Sequence, residues 1–389
     1  MKVTIIYPVE PSYIFGLAEG LSKCDLQVEL IGSDRMQQIE NKYSNIKVIN
    51  LRGSQETNVN FFNKFLRIIK FYLSLIKYTI ATDSQLIHIH WSNRFFFFDS
   101  TLLLLFYKIM GKKIIYTAHN IDQGMRDKEA GDRKLVYKFL YSIVDHIIVH
   151  NNFSFRILKE RFKVSASKVS VEKMGIIKAP YTGISVAIAR ESLNITQDKK
   201  VILFFGGINA YKGLDLLLKA FKDLNKISTD YLLLIAGQPR DIEYFDSLKD
   251  MISEISMTPN CITNFGFIPY EDVEKYFMAS DCIVLPYKYI FQSAVYALGF
   301  SFGLPVIATD VGSFKEEDIV EGKNGFVCKP NDPEDLKNTL IKYFNSDLYK
   351  HLGNNRSLIR QWAEDTYSWD KIGAETFDIY SKTINKSII

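Results

Sequence analysis

The side chains best placed for chemistry in this 389-residue sequence are a lysine after a glycine pair and several histidines at strand ends. The lysine is Lys212, in VILFFGGINAYKGLD (Val201–Asp215). Five apolar residues suit a buried strand, and Gly206 and Gly207 then allow a sharp turn and close approach to a ligand. After Gly213, LDLLLKAF has the period of a helix packed on a sheet. Free backbone N–H groups and the positive end of a helix dipole gather at such a junction. A lysine there adds a full charge, which suits a diphosphate. An ordinary strand-to-helix turn with a surface lysine reads equally well from this spacing alone.

His119, in YTAHNI, lies just past a predicted strand, where an imidazole can hydrogen-bond hydroxyls or stand beside a developing positive charge. Asn120 and Asp122 are its polar neighbours. His88 and His90 alternate along LIHIHW and share one face of a strand. No acid or cysteine stands at ligand spacing from them, so no metal site is expected. Trp91 offers a surface on which a sugar ring can stack. The sequence has no Asp-x-Asp, no GxGxxG, no GxxxxGK[ST] and no GxSxG, which argues against metal-held diphosphate, a nicotinamide cofactor, a P-loop and an acyl hydrolase.

A net charge of +4 demands no nucleic-acid partner. Cys24, Cys261, Cys282 and Cys328 are far apart and are expected to be free thiols in a reducing compartment. Met1 leads directly into a strand, KVTIIYP, with no signal peptide, and the longest apolar run, Arg94–Met110, is interrupted by Asp99. A cytoplasmic protein is the expectation.

These side chains need a scaffold, and the sequence alternates strands with helices. Strands are predicted at Val3–Tyr7, Gln27–Ile31, Lys47–Leu51, Leu86–Ile89, Lys113–Thr117, His146–Val149 and Lys168–Val171. Helices fall between them at Tyr13–Ser22, Phe61–Ile80, Phe95–Met110, Arg133–Ile143 and Phe153–Arg161. The rhythm lapses over Lys178–Gln197, with Pro180 and Gly183, which reads as a domain linker. It resumes with strands at Val201–Phe205, Tyr231–Ala236, Cys261–Asn264, Asp281–Leu285, Pro305–Ala308 and Phe326–Cys328. Helices are predicted at Leu214–Leu224, Ile242–Ser253, Tyr270–Ala279, Ser293–Phe302 and Pro333–Phe344, with a helical tail over Asp347–Ile389. Two doubly wound α/β domains follow, with a cleft expected between them. The segment FFNKFLRIIKFYLSLIKY (Phe61–Tyr78) combines apolar bulk with Lys64, Arg67, Lys70 and Lys77. It could lie on an anionic membrane, but the strand–helix order favours packing on the first sheet with the lysines reaching to water.

FFGGINAYKG, LLIAGQPRD, NFGFIPYEDVEKYFMASDCIVLPY and ALGFSFGLPVIATDVGSFKEE…EGKNGF, in that order, resemble the C-terminal domain of GT-B-fold glycosyltransferases. Their order and spacing are similar to those of the retaining nucleotide-sugar enzymes of family four, the group 1 glycosyltransferases. LIHIHW, YTAHNI and DHIIVHN resemble the matching N-terminal domain. The resemblance implies an α/β fold of GT-B architecture, two doubly wound Rossmann-like domains facing a central cleft. Residues 1–180 would bind the acceptor, with a last helix at about 370–389 packing back on them, and residues 195–369 would bind the nucleotide sugar.

The implied reaction is retaining transfer of a hexose from a donor such as a UDP- or GDP-hexose to a glycan or lipid-linked glycan, in cell-surface polysaccharide or glycoconjugate biosynthesis. It would use no metal and no other cofactor. Lys212 and His119 would be catalytic. Gly206, Gly207, Asn209, Lys212, Gln292, Ser293, Ala294 and Glu316 would bind the donor, and His90, Trp91 and Asn120 the acceptor. Asp281 reads as a cap between helix and strand. The chain departs from the family pattern at the paired glutamates, where it has Ile290 and Leu298. It departs also at the arginine before the lysine, where it has Gly207 and, three before, Asn209. The loop after the first strand, PVEPSYIFG, holds only Gly16. These departures fit a non-catalytic GT-B protein that binds a glycan or a partner glycosyltransferase. A sugar-nucleotide epimerase shares the architecture.

Overall fold

The apolar runs become the strands of two all-parallel sheets. The structure is a computed structural model and describes residues 1–7, 11–54, 60–93, 95–122, 125, 133–176 and 181–385. It divides into two units, Met1–Gly175 with Tyr367–Ile389, and Ile176–Thr366.

In the first unit the strands are β1 (Lys2–Ile6), β2 (Gln27–Gly32), β3 (Ile46–Asn50), β4 (Leu86–Ile89), β5 (Lys113–Thr117), β6 (His146–Val149) and β7 (Val169–Val171). They lie in the order β3-β2-β1-β4-β5-β6-β7. Every residue of β4 and β6 is buried, as central parallel strands covered on both faces must be. The helices are α1 (Pro11–Leu21), α2 (Gln37–Lys42), α3 (Phe61–Ala81), α4 (Phe96–Ser100), α5 (Leu102–Ile109), α6 (Lys134–Ile143) and α7 (Asn152–Arg161), with a closing helix from Trp369 to Asn385. That closing helix packs on α1 through Trp369. A Cβ at Gly16 would lie 2.0 Å from the indole, and one at Gly20 would lie 2.0 Å from the Trp369 carbonyl oxygen. Gly16, the lone glycine of PVEPSYIFG, is therefore a packing glycine. Residues 8–10 of that loop lie outside the described residues.

In this unit two helices differ from expectation, one in its continuity and one in what its outer face carries. The single helix expected over Phe95–Met110 breaks at Thr101 (φ −131°, ψ −85°) into α4 and α5. Asp99 is turned inward, where it accepts a 2.8 Å hydrogen bond from the Tyr72 hydroxyl. α3 starts where the Asn60 side chain accepts from the Asn63 N–H (2.9 Å) and buries Phe71, Tyr72 and Leu75. Its outer face carries more than the expected lysines, because Phe62, Phe65, Leu66, Ile69, Leu73 and Ile80 are exposed there beside Lys64, Lys70 and Lys77.

In the second unit the strands are β8 (Lys200–Phe205), β9 (Tyr231–Ala236), β10 (Cys261–Asn264), β11 (Cys282–Leu285), β12 (Val306–Thr309) and β13 (Gly325–Cys328), ordered β10-β9-β8-β11-β12-β13. The helices are α8 (Val186–Ser192), α9 (Leu214–Ile227), α10 (Ile242–Ser247), α11 (Lys249–Ser256), α12 (Val273–Ala279), α13 (Ala294–Ser301), α14 (Pro333–Phe344), α15 (Asp347–Lys350) and α16 (Leu352–Thr366), so that the closing helix is α17. The predicted helix Ile242–Ser253 divides at Leu248, which is buried.

α8 lies inside the stretch read as a linker, whose Pro180 falls outside the described residues. Arg190 on α8 is buried and forms a close ion pair with Asp281 (2.9 Å). It also donates to the carbonyls of Ala279 (3.1 Å) and Gln197 (2.7 Å). Asp281 in turn accepts from the Val201 N–H at 2.7 Å, so this carboxylate ties α8 to the start of β8. No helix among the described residues is long and apolar enough to cross a membrane.

Candidate functional site

Both strand orders reverse direction once, between β1 and β4 and between β8 and β11. In open parallel sheets, ligands sit outside the carboxyl ends of the strands at such a point. His90 and Trp91 follow β4, and the Gly206 turn with Lys212 follows β8, at these two places; His119 and Asn120 follow the neighbouring β5, and Glu316 follows β12.

In the second unit, β8 runs into Gly206 (φ +100°), a conformation that glycine adopts without steric cost. A short turn, Ala210–Lys212, then leads to Gly213 (φ +69°) and α9. A Cβ at Gly213 would lie 1.9 Å from the Pro286 carbonyl oxygen, so only glycine lets the β8 loop reach the β11 loop. The turn folds Lys212 inward, with 9% of its surface exposed. A Cβ at Gly206 would lie 3.3 Å from its Nζ and 3.8 Å from Val295 on the first turn of α13. Gly206, Lys212 and the start of α13 therefore surround one spot.

Ser293 caps α13, its Oγ accepting from the Val295 N–H at 3.3 Å, so one of the amides expected to face a ligand already has a partner. Ala294 opens the helix, and Gln292 donates to the Tyr296 hydroxyl at 3.2 Å. Asn209 precedes the Lys212 turn, its Nδ2 3.8 Å from a Cβ at Gly207. Glu316 is exposed on the turn Phe314–Asp318 that follows β12. Ile290, where the resemblance implied a glutamate, is buried, and its carbonyl oxygen would lie 2.7 Å from a Cβ at Gly312.

The sequence reading passed over Arg240. Its backbone N–H bonds the Ile208 carbonyl (2.9 Å), and its side chain lies over Gly207, where a Cβ would be 3.0 Å from Cγ and 3.8 Å from Nε. The arginine absent from position 207 is thus replaced in space by one from the loop after β9. Arg240 is exposed and pairs with no carboxylate among the described residues. Lys288 differs, because Asp215 holds its Nζ at 2.9 Å while also accepting from the Tyr244 hydroxyl at 2.6 Å. The signal for Arg240 was a cation three residues past the glycine that follows a strand, in IAGQPR, and it could have been found by reading all strand ends together.

In the first unit the histidines converge. His90, His119 and His150 follow the carboxyl ends of β4, β5 and β6, three adjacent strands. His90 Nδ1 lies 3.3 Å from His119 Nε2, and His119 Nδ1 lies 3.0 Å from His150 Nε2. His150 Nδ1 lies 3.0 Å from the Glu172 carbonyl oxygen. Trp91 stacks on His119 with ring centroids 5.0 Å apart and planes 3° from parallel. His90 is buried between Tyr7, Tyr13 and His88, so Trp91 is the ring of this pair that reaches the surface. His119 is half-buried and both its ring nitrogens face other histidines, which leaves neither for the sugar hydroxyl expected from the sequence. Burial lowers the pKa of His88 to about 3 and that of His150 to about 4, and holds His90 and His119 well below the ordinary value. All four are neutral at pH 7. His88 is engaged by the Tyr380 hydroxyl (2.6 Å) and by Thr117 (2.7 Å). Asn120 is half-buried beside them, and Asp122 is held by Arg161 at 3.0 Å.

Glu172 is buried, with Thr376 donating to its carboxyl at 2.5 Å, and burial pushes its pKa up to about 8. Between its ordinary value of 4.5 and about 8, the folded chain keeps a proton that the unfolded chain has released. Stability from this group therefore falls as pH rises through that window and levels off above it. Glu172→Gln keeps the acceptor for Thr376 and removes the titration. Its melting temperature should lie close to wild type near pH 4.5 and exceed it by roughly 10 °C or more at pH 8.5. Parallel melting curves at the two pH values would contradict this.

Comparison with known proteins adds three findings. A family model described as glycosyl transferases group 1 matches residues 185–358, and one described as glycosyltransferase family 4 matches residues 12–176. An uncharacterized glycosyltransferase of Methanocaldococcus jannaschii is 24% identical over 310 residues, 74% of each chain, while the chain spans about half the length of other curated relatives it matches. Among solved structures, a sucrose-phosphate synthase of Thermosynechococcus elongatus superimposes with a TM-score of 0.77 at 18% identity, over 99% of this chain and all of that one. The HepE protein of Anabaena, in complex with UDP and glucose, does so with a TM-score of 0.73 at 16% identity, over 98% of this chain and all of that one. These likenesses show the two-domain GT-B fold.

Proposed function

We infer the function of this chain from its family: it belongs to the group 1 glycosyl transferases of GT-B fold. We propose that it transfers a hexose from a nucleoside-diphosphate sugar, UDP- or GDP-linked, to a hydroxyl of a glycan or lipid-linked glycan. By family analogy the transfer retains configuration and serves cell-surface polysaccharide or glycoconjugate synthesis without a metal. The observation that carries this reading is the Lys212 ammonium held against Gly206 at the start of α13, with Arg240 over the adjacent glycine. The bond to the departing nucleoside diphosphate breaks with charge gathering on the outer phosphate. The inward-folded Lys212 ammonium stabilises that charge from a set position, and the exposed Arg240 adds a second positive charge beside it. The UDP and glucose bound by HepE support the donor class.

The outer face of α3 supports a second part of the proposal, contact with an anionic bilayer that presents a lipid-linked acceptor. Six exposed apolar side chains share the helix with Lys64, Arg67, Lys70 and Lys77, and the helix has no acidic residue. One experiment tests both parts. Nucleoside-diphosphate sugars are supplied as a panel to the protein with vesicles of phosphatidylglycerol and phosphatidylcholine carrying lipid-linked saccharides. Acceptor-dependent nucleotide release and pelleting with the vesicles are expected, with pelleting lost in Leu66→Asp/Leu73→Asp. Failure to bind either UDP or GDP by calorimetry would overturn the enzymatic reading, and unchanged pelleting of the double variant would overturn the membrane contact.

A further inference from the structure

The three imidazoles at the ends of β4, β5 and β6 form a chain whose direction is determined by its last link. A carbonyl oxygen only accepts hydrogen bonds, so His150 must carry its proton on Nδ1 to donate to Glu172 O, 3.0 Å away. Neutral His150 then has its lone pair on Nε2, and His119 must donate from Nδ1 across 3.0 Å. His119 Nε2 is thereby the acceptor, and His90 must donate from its own Nδ1 across 3.3 Å. What remains is the lone pair of His90 Nε2, which is buried and has no hydrogen-bond partner. All three rings thus hold the same tautomer. Parallel strands about 4.8 Å apart set the spacing. The ring centroids lie 5.6 Å and 4.8 Å apart along the chain.

We propose that His150 is a positioning residue: anchored on the Glu172 carbonyl, it holds His119 in the Nδ1–H tautomer and one ring orientation, and so holds the Trp91 surface stacked on it. The Val149↔Val171 pairing of β6 with β7 brings His150 to Glu172, and the Glu172 N–H bonds the Val149 carbonyl at 2.8 Å. The chain can take up a further proton only at His90 Nε2, because the other ring nitrogens are already bonded. His119 is therefore held as a support and does not shuttle a proton. The role of Trp91 as a sugar platform rests on the proposed function, whereas the tautomer does not.

The protein has six histidines, so ¹⁵N-histidine labelling gives a spectrum that single substitutions can assign. In the ligand-free wild type, His90, His119 and His150 are each expected to show their proton on Nδ1. In His150→Phe, which can neither accept nor donate, the His119 Nδ1–H signal should be lost. His150→Gln should restore it, since its amide can donate to Glu172 O and accept from His119. If wild-type His119 carries its proton on Nε2, or if His150→Phe leaves the tautomer unchanged, the proposal is overturned, and the wild-type measurement decides even if the variant does not fold. In transfer assays, His150→Phe should raise the KM for the acceptor several-fold and leave donor KM unchanged, with His150→Gln close to wild type. Absence of any transfer by wild type would count against the proposed function and leave the tautomer result standing.

Discussion

Lys212→Ala is expected to lower kcat/KM for sugar transfer by about 10²–10³-fold while the chain stays folded. The size follows from where the charge sits. The ammonium is folded inward against the Gly206 turn, where low exposure weakens solvent screening of its field. Lys288 does not replace it, because Asp215 already holds that ammonium at 2.9 Å. Lys212→Met keeps the aliphatic bulk of the side chain and removes the Nζ that lies 6.0 Å from the Tyr287 ring centroid, so it should lose as much activity as alanine, which separates charge from packing. Arg240 is exposed and its guanidinium can move, so Arg240→Ala should cost about tenfold, chiefly through donor KM. A nucleotide-release assay reads all three variants. Wild-type turnover in Lys212→Ala would remove this lysine from the reaction.

Asp281→Ala is expected to destabilise the second unit by about 3–5 kcal/mol. The substitution leaves the buried Arg190 guanidinium without its carboxylate and the Val201 N–H without its acceptor. The Asp281 carboxylate links them, with Arg190 and Asp281 each less than a tenth exposed. Replacing both partners, as in Arg190→Leu/Asp281→Leu, removes the uncompensated charge and should be more stable than either single change. Denaturant titration of the full chain measures the three proteins. A midpoint for Asp281→Ala equal to wild type would show that the pair contributes nothing.

The Asp281 result also bears on how much was legible beforehand. A carboxylate just before an apolar run, in ASDCIVLPY, looks like a cap when only its neighbours are visible. Its partner is 91 residues away, on a helix inside a stretch that had lost its hydrophobic rhythm. Arg240 escaped notice for a similar reason, since nothing near position 240 shows that its side chain will cover Gly207. Gly16 stood in the sequence only as the one glycine of the loop after the first strand, and the structure gives its reason, since Trp369, from the other end of the chain, occupies the space above it.

By itself the amino-acid order determined which runs become strands, that they pair in parallel with helices between them, and that a lysine follows the glycine turn at the end of β8. Those features depend on periodicity and on turn residues within a few positions of one another, so they can be read locally. Tertiary structure alone decided which strands became neighbours, and with that the direction of the histidine chain, the partner of Asp281 and the cation over Gly207. Each of these depends on side chains that meet only when distant segments are packed side by side, and no local pattern encodes that geometry.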